Sequence, residues 1–140
     1  MRNLLGNRLN AALDFGSSFV DGRPIFGKSK TWRGVASALV FTAVAGAILG
    51  YTPIIGLLVA GYTVMGDLLS SFTKRRLGMA PSSMAPLIDQ VPEALLPAVM
   101  LRHSFNLDAI AIMILVCVFV VVELILSFVL FKLGIRNRPY

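Results

Sequence analysis

The chain has 140 residues, 56% of them hydrophobic and only 14% charged, with a mean hydropathy of +0.79. Small soluble domains have an apolar share nearer half or below, so the composition excludes one and points to an integral membrane protein. The net charge of +6, from 13 Lys and Arg against 7 Asp and Glu, does not signal nucleic acid, because the cations lie beside the apolar runs.

Met1 to Phe15 lacks the continuous apolar centre of a secretory signal, so no cleavable leader is expected. Leu4, Leu5 and Leu9 interleaved with Arg2 and Arg8 suit an amphipathic interfacial helix over Met1 to Asn10. The loop from Asp21 to Gly34 follows, Asp-Gly-Arg-Pro-Ile-Phe-Gly-Lys-Ser-Lys-Thr-Trp-Arg-Gly. Its glycines permit sharp turns and its cations alternate with hydroxyls, a composition able to wrap a polyphosphate, although the Walker A spacing is absent. Lys28, Lys30 and Arg33 read either as interfacial anchors or as phosphate ligands, with Thr31 a hydroxyl donor beside them.

A spanning helix needs roughly 20 mostly apolar residues. Val35 to Tyr51 is the first candidate, ended by a tight turn at Thr52 and Pro53, and Ile54 to Phe72 is the second. The second carries Asp67. Charge in hydrocarbon is costly, so an acid there is a functional-site hypothesis. Helical spacing puts Asp67, Ser71 and Lys74 on one face, with Ser70 adjacent, which gathers an acid, hydroxyls and an ammonium as a metal–phosphate site requires. At 1.5 Å per residue Asp67 is about 10 Å from Lys74, so it reaches only the inner rim of the membrane. The plainer alternative is that Asp67 pairs with a cation to hold two helices, while Lys74, Arg75 and Arg76 fix topology.

After a polar loop, Pro86 to Leu101 is a third candidate span with Asp89, Gln90 and Glu93 near its start, and Leu107 to Leu133 is a fourth, interrupted only by Glu123. If the second and third spans are antiparallel neighbours, Asp67 and Asp89 fall at similar depth, where two carboxylates can share Mg²⁺ with substrate phosphates. Asp89 by itself is also explained as an acid favoured by a helix start. Cys117, the single cysteine, lies in an apolar run and excludes an internal disulfide or a zinc cluster. Gly46 with Gly50, and Gly56, Gly61 and Gly66, allow close helix approach.

With the flank before Val35 cytoplasmic, Lys28, Lys30, Arg33, the 74–76 run, Lys132, Arg136 and Arg138 share that side and only Arg102 is outside, as the positive-inside rule asks. The expected fold is all-α, a polytopic transmembrane helical bundle of four spans forming one domain over residues 1–140, multi-pass in the cell membrane, with its site at the cytoplasmic rim.

Gly66-Asp67-Leu68, Ser71, Lys74-Arg75 and Asp89-Gln90 resemble the signature region of the phosphatidate cytidylyltransferase superfamily, whose pattern runs Gly-Asp-Leu, Ser, Lys-Arg and then Asp-Arg-x-Asp. With Asp21-Gly22-Arg23, Phe26-Gly27 and Lys30-Thr31-Trp32-Arg33-Gly34 added, the chain is most similar to the short archaeal branch, the CDP-archaeol synthases, over roughly Asp14 to Gln90. Two features depart from the pattern. The bacterial Pro-Gly-His-Gly-Gly run is missing, and the second acid of Asp-Arg-x-Asp falls on Pro92. Archaeal members also begin with a further hydrophobic helix, which would make five spans.

The resemblance implies transfer of a cytidylyl group from CTP to an anionic isoprenoid lipid phosphate, digeranylgeranylglyceryl phosphate in the archaeal branch, with release of pyrophosphate. It casts Asp67 and Asp89 as Mg²⁺ ligands and Lys74, Arg75, Lys28, Lys30 and Arg33 as neutralising the phosphates. Thr31, Ser70, Ser71 and Gln90 would contact substrate, and Asp21 and Asp14 would touch the cytidine or order the loop. The expected partners are CTP, the lipid phosphate and membrane lipids, with no nucleic acid and a homodimer left open. His103, on the far side, has no part in this scheme. Two rivals remain: an ion-coupled transporter using Asp67 and Glu123, and a non-catalytic assembly partner packing through its glycine faces.

Overall fold

The computed structural model describes residues 11–79 and 85–134. The expected helix at Met1 to Asn10, and Arg136 and Arg138, lie outside the described residues. Among the described residues the chain forms α1 (Trp32–Ile48), α2 (Pro53–Arg76), α3 (Pro86–Met100) and α4 (Ala109–Lys132). Each start has a local cause. Thr31 caps α1 by accepting from the Gly34 amide, Thr52 caps α2, and Asp108 caps α4 by accepting from the Ala111 amide at 2.7 Å. Pro53 opens α2, the position where a missing amide proton costs nothing, so the expected turn is carried instead by Gly50 at φ +85°.

α2 is the hub. It packs on α3 along most of its length and on α1, while α4 lies against α3. These contacts are made by small residues. A Cβ on Gly56 would stand 2.7 Å from the Ala43 Cα of α1, and one on Gly66 would stand 2.3 Å from the Pro92 carbonyl oxygen of α3. Only glycine permits either crossing. Gly61 meets nothing within 4 Å, so the glycines named from the sequence do not share one role. The buried apolar residues are likewise small, Ala60, Ala94 and Ala98 with Leu101, whereas Phe41, Ile48, Ile114 and Val118 face outward. Large apolar groups outside and small ones inside is the pattern of a bundle whose solvent is lipid.

Among the described residues two helices, α2 and α4, are long and apolar enough to cross a membrane. α1 is apolar but has 17 residues, and α3 has 15, with Pro92 and Pro97 inside it. Neither proline can donate to the carbonyl four residues back.

Candidate functional site at the α2–α3 crossing

Residues 11–32 form a harness ahead of α1. Leu13 donates to the Lys30 carbonyl at 2.8 Å and Trp32 to the Ala11 carbonyl at 3.3 Å, so the backbone of Lys30 is held on both sides. Asp14 closes the harness. Its Oδ1 accepts from Gly16, and its Oδ2 accepts from Phe26 at 3.1 Å and Gly27 at 2.9 Å, the last at φ +91°. Burial pushes the Asp14 carboxyl up, but the Gly27, Gly16 and Phe26 amides outweigh it and hold the group below its ordinary value. Of the two roles the sequence left to Asp14, ordering the loop is the one these bonds perform.

The harness aims Lys30 at α2. Its Nζ lies 2.5 and 2.6 Å from the two carboxylate oxygens of Asp67, across a pocket of about 220 Å³ lined also by Ser29, Thr31, Thr63 and Glu93. The second ion pair crosses from α2 to α3. Lys74 Nζ is 2.7 Å from Asp89 Oδ1 and 2.9 Å from Oδ2, with the lysine side chain 8% exposed. The Gly66–Pro92 contact sets the register between these helices. It sets Gly66 level with Pro92 and Glu93, so Asp67 lies beside Val91 and Pro92 and Asp89 beside Leu69 and Ser70, an offset of about 4 Å along the axis at 1.5 Å per residue. The expected similar depth of the two carboxylates is therefore met to within one turn. Lys74 reaches back to Asp89 because helical side chains lean toward the N-terminus.

Other residues named from the sequence serve neighbouring structure. Ser70 Oγ donates to the Asp67 carbonyl at 2.8 Å, and Ser70 and Ser71 are both buried. Thr31 Oγ1 is the α1 cap and also lines the pocket. Arg75 is buried and its guanidinium donates to the Met79 carbonyl, closing the turn after α2. Asp21 accepts from Arg76, outside the pocket. Lys28 and Arg33 are exposed beside the harness. Gln90 is buried, and its Oε1 has no hydrogen-bond partner among the described residues.

Three features of the region are not foreseen by residue spacing. Glu93 enters the pocket with Asp67 because the Gly66 crossing turns that part of α3 inward. Arg23 donates to the carbonyls of Arg75 and Arg76 at 3.3 and 2.6 Å, satisfying acceptors left open at the end of α2. Arg76 extends the same clasp, donating to the Arg23 and Pro24 carbonyls while its guanidinium stacks 4.9 Å from both the Phe19 and Phe72 rings. The signal available in the sequence was the Asp21-Gly22-Arg23 turn facing the basic run, but pairing across 50 positions cannot be read from spacing.

Fold and site together define an all-helical membrane protein with a charged pocket cut between its helices and a basic loop folded over it. A family model described as CarS-like, CDP-archaeol synthase, matches residues 6–140. The chain is 31% identical to a CDP-archaeol synthase of Sulfolobus acidocaldarius over 91% of its own length and 82% of the relative's. It is 32% identical to one of Pyrobaculum aerophilum over 91% and 81%. A solved structure described as an intramembrane enzyme for archaeal membrane lipids biosynthesis superposes with a TM-score of 0.69 at 23% identity, covering 84% of this chain and 79% of that one, a likeness of fold. The chain belongs to the CarS-like, CDP-archaeol synthase family.

Proposed function

We propose that this chain is a CTP-dependent cytidylyltransferase that converts 2,3-bis-O-geranylgeranyl-sn-glycerol 1-phosphate to CDP-archaeol and pyrophosphate in membrane phospholipid biosynthesis. The observation that carries the reading, beside the family, is the pair of lysine–carboxylate bridges, Lys30 with Asp67 and Lys74 with Asp89, gathered at one crossing of α2 and α3. Each lysine is an ammonium already positioned where phosphate oxygens would displace a carboxylate, and each carboxylate is a hard oxygen donor.

An oxygen of the lipid phosphate attacks the α-phosphorus of CTP. A new phosphorus–oxygen bond forms there, and the bond to the β-phosphate oxygen breaks, so pyrophosphate leaves with that electron pair. The ionised nucleophile needs no general base, so the protein's work is alignment and charge neutralisation. Lys30 and Lys74 turn from Asp67 and Asp89 to the phosphates, while Lys28 and Arg33 hold the outer end of the triphosphate. Arg75 keeps the turn beneath them.

Mg²⁺ fits this donor set. Two half-exposed carboxylates, with side chains 32% and 28% accessible, offer oxygen ligands and room for phosphates to complete the shell. Asp67 and Asp89 would hold the ion, which supplies neutralisation of phosphate charge when bound. The site faces the cytoplasm, since Lys28, Lys30, Arg33, Lys74 to Arg76 and Lys132 flank the helix ends on its side. All four helices cross the bilayer in this arrangement.

Purified protein given CTP, Mg²⁺ and the lipid phosphate should release pyrophosphate and form a CDP-lipid. Chelator should abolish the product, and Asp67→Asn and Asp89→Asn should each lower turnover at least about a hundredfold while the protein stays monodisperse in detergent. Unchanged turnover in excess chelator, or in both variants, would remove the metal assignment. Mn²⁺ binding in the presence of CTP, followed by its paramagnetic resonance, should fall in the same variants without any need for turnover.

A further inference from the structure

One acid in the charged pocket has no duty in the proposed mechanism. Asp67 is held by Lys30 and Asp89 by Lys74, whereas Glu93, partly buried on α3, makes no hydrogen bond or ion pair with any described residue. Its side chain lines the same pocket of about 220 Å³ as Lys30 and Asp67, a lining in which Asp89 has no share. The charged groups around it are Asp67, Glu123, Lys30 and Asp89. This placement follows from the helix crossing. A Cβ on Gly66 would stand 2.8 Å from the Glu93 Cα, so α3 presses on α2 at the residue before Asp67, and the Glu93 side chain leaves the α3 backbone beside the pocket.

We infer that Glu93 joins Asp67 in holding the divalent cation, supplying from position 93 the acid that the superfamily pattern places at position 92. The inference rests on the cytidylyltransferase reading for the reaction that the cation serves. Pro92, three residues after Asp89, leaves the pattern's second acid without a carboxylate, and Glu93 comes four residues after Asp89. On a helix of 3.6 residues per turn these two positions lie about 60° to one side and about 40° to the other of the first residue, so an acid at either stays on the Asp89 side of α3. The shift moves the acid only about 1.5 Å along the axis. It remains at the level of Gly66, next to Asp67, and glutamate reaches one methylene further than aspartate. Charge balance points the same way. With the Lys30 ammonium seated against Asp67, the pocket holds two carboxylates and one cation. Once Lys30 turns to the phosphates, the two carboxylates remain together without it, a balance that a divalent ion restores while phosphate oxygens complete its shell. Among the described residues no three His, Cys, Asp or Glu side chains converge to hold a metal by themselves, which suits a site completed by CTP.

The test uses the full chain in detergent with CTP, and Mn²⁺ as the probe, its binding followed by paramagnetic resonance without turnover. Glu93→Gln should weaken Mn²⁺ binding at least about tenfold while the protein stays monodisperse with an unfolding midpoint near wild type, and Glu123→Gln should leave the affinity unchanged. Moving the acid back is the rescue. Pro92→Asp combined with Glu93→Gln should recover most of the lost affinity, which a merely structural glutamate would not allow. A second arm needs no variant to fold. Wild-type protein is treated with a carbodiimide, which modifies carboxyl groups, and the label is read residue by residue by mass spectrometry. Glu93 should be labelled with CTP and chelator present, and Mn²⁺ with CTP should protect Glu93 and Asp67 together. Unchanged Mn²⁺ affinity in folded Glu93→Gln, or Glu93 labelled equally with and without Mn²⁺, overturns the inference and leaves Asp67 and Asp89 as the metal pair. A double variant as weak as Glu93→Gln alone overturns the exchange of position 92 for position 93. Failure of the wild-type chain to bind Mn²⁺ with CTP present overturns the metal assignment itself, and the inference with it.

Discussion

Lys30 Nζ sits 2.5 and 2.6 Å from the two carboxylate oxygens of Asp67, joining the loop ahead of α1 to the C-terminal half of α2 across 37 positions of sequence. The bridge is half-exposed, with side-chain accessibilities of 24% and 32%, so its direct contribution to stability is small, about 0–1 kcal/mol by the record of accessible pairs. Its purpose is better sought in what each partner does when a phosphate arrives.

Exchanging the partners separates these roles. Lys30→Asp with Asp67→Lys restores an ion pair but reverses the charge that, in the proposed mechanism, meets the triphosphate. Thermal unfolding in detergent should return to near the wild-type midpoint in the double variant. CDP-lipid formation should stay at least about a hundredfold down. Recovery of both would make the bridge a structural fastener and remove Lys30 and Asp67 from the catalytic group.

Gly66→Ala should be among the most damaging small substitutions in the chain. The added methyl would meet the Pro92 carbonyl at 2.3 Å and the Glu93 Cα at 2.8 Å, backbone atoms that cannot swing aside. The two helices must part, and with them the Asp67 and Asp89 levels. Gly61→Ala, five residues earlier, where an added Cβ meets no described atom within 4 Å, should instead leave activity intact and stabilise α2 by about 0.5–1 kcal/mol. Unfolding midpoints of the two variants, measured side by side, check the contrast. Equal effects would mean that the crossing is not as tight as Gly66 makes it.

Much of this architecture is written locally. The apolar runs, the break between the first two of them near Thr52 and Pro53, and the Asp67–Ser71–Lys74 spacing follow from periods and local backbone chemistry, which neighbours in sequence determine. The similar depth of Asp67 and Asp89 was legible because a short connection makes α2 and α3 antiparallel. Glu93 was not, because its inward direction depends on where Gly66 lets α3 cross, a contact between residues with no shared spacing. The clasp made by Arg76 was hidden, and the choice between two roles for Asp14 left open, for a related reason. Each works by hydrogen-bonding backbone groups of a distant turn, and backbone groups carry no residue-specific signal. α1 shows the opposite limit, since the apolar run expected from Val35 to Tyr51 and the helix from Trp32 to Ile48 have the same length but are offset by three residues, the start being set by the Thr31 cap and not by apolar content.

Asp14 gives a pH signature. Its carboxyl is held below the ordinary value of 3.8 by the Gly27, Gly16 and Phe26 amides against the upward push of burial. A folded-state value below the unfolded one adds stability that is fully present above the unfolded value and disappears as pH falls through the folded one. Asp14→Asn should therefore lose loop stability relative to wild type at neutral pH, and the difference should shrink progressively below about pH 4. Asp14→Ala leaves three amides without their acceptor and should cost about 1–3 kcal/mol at pH 7. Proteolysis of residues 14–30 as a function of pH follows the effect, and a pH-independent difference between Asp and Asn would contradict it.

Arg76 separates a topological anchor from a loop clasp. As an anchor it needs only positive charge, and Arg76→Lys would be silent. As a clasp it needs a planar fork, because one guanidinium bonds Asp21 and the Arg23 and Pro24 carbonyls while its face lies 4.9 Å from the Phe19 and Phe72 rings. An ammonium cannot make that set of contacts at once. Arg76→Lys should thus behave like Arg76→Ala: the loop over residues 17–24 becomes accessible to protease, and the KM for CTP rises several-fold as Lys30 loses its fixed approach. Turnover at saturating CTP should fall less, since Arg76 touches neither carboxylate of the site. A lysine variant with wild-type protease resistance and KM would return the basic run at the end of α2 to the role of holding the protein's orientation in the membrane.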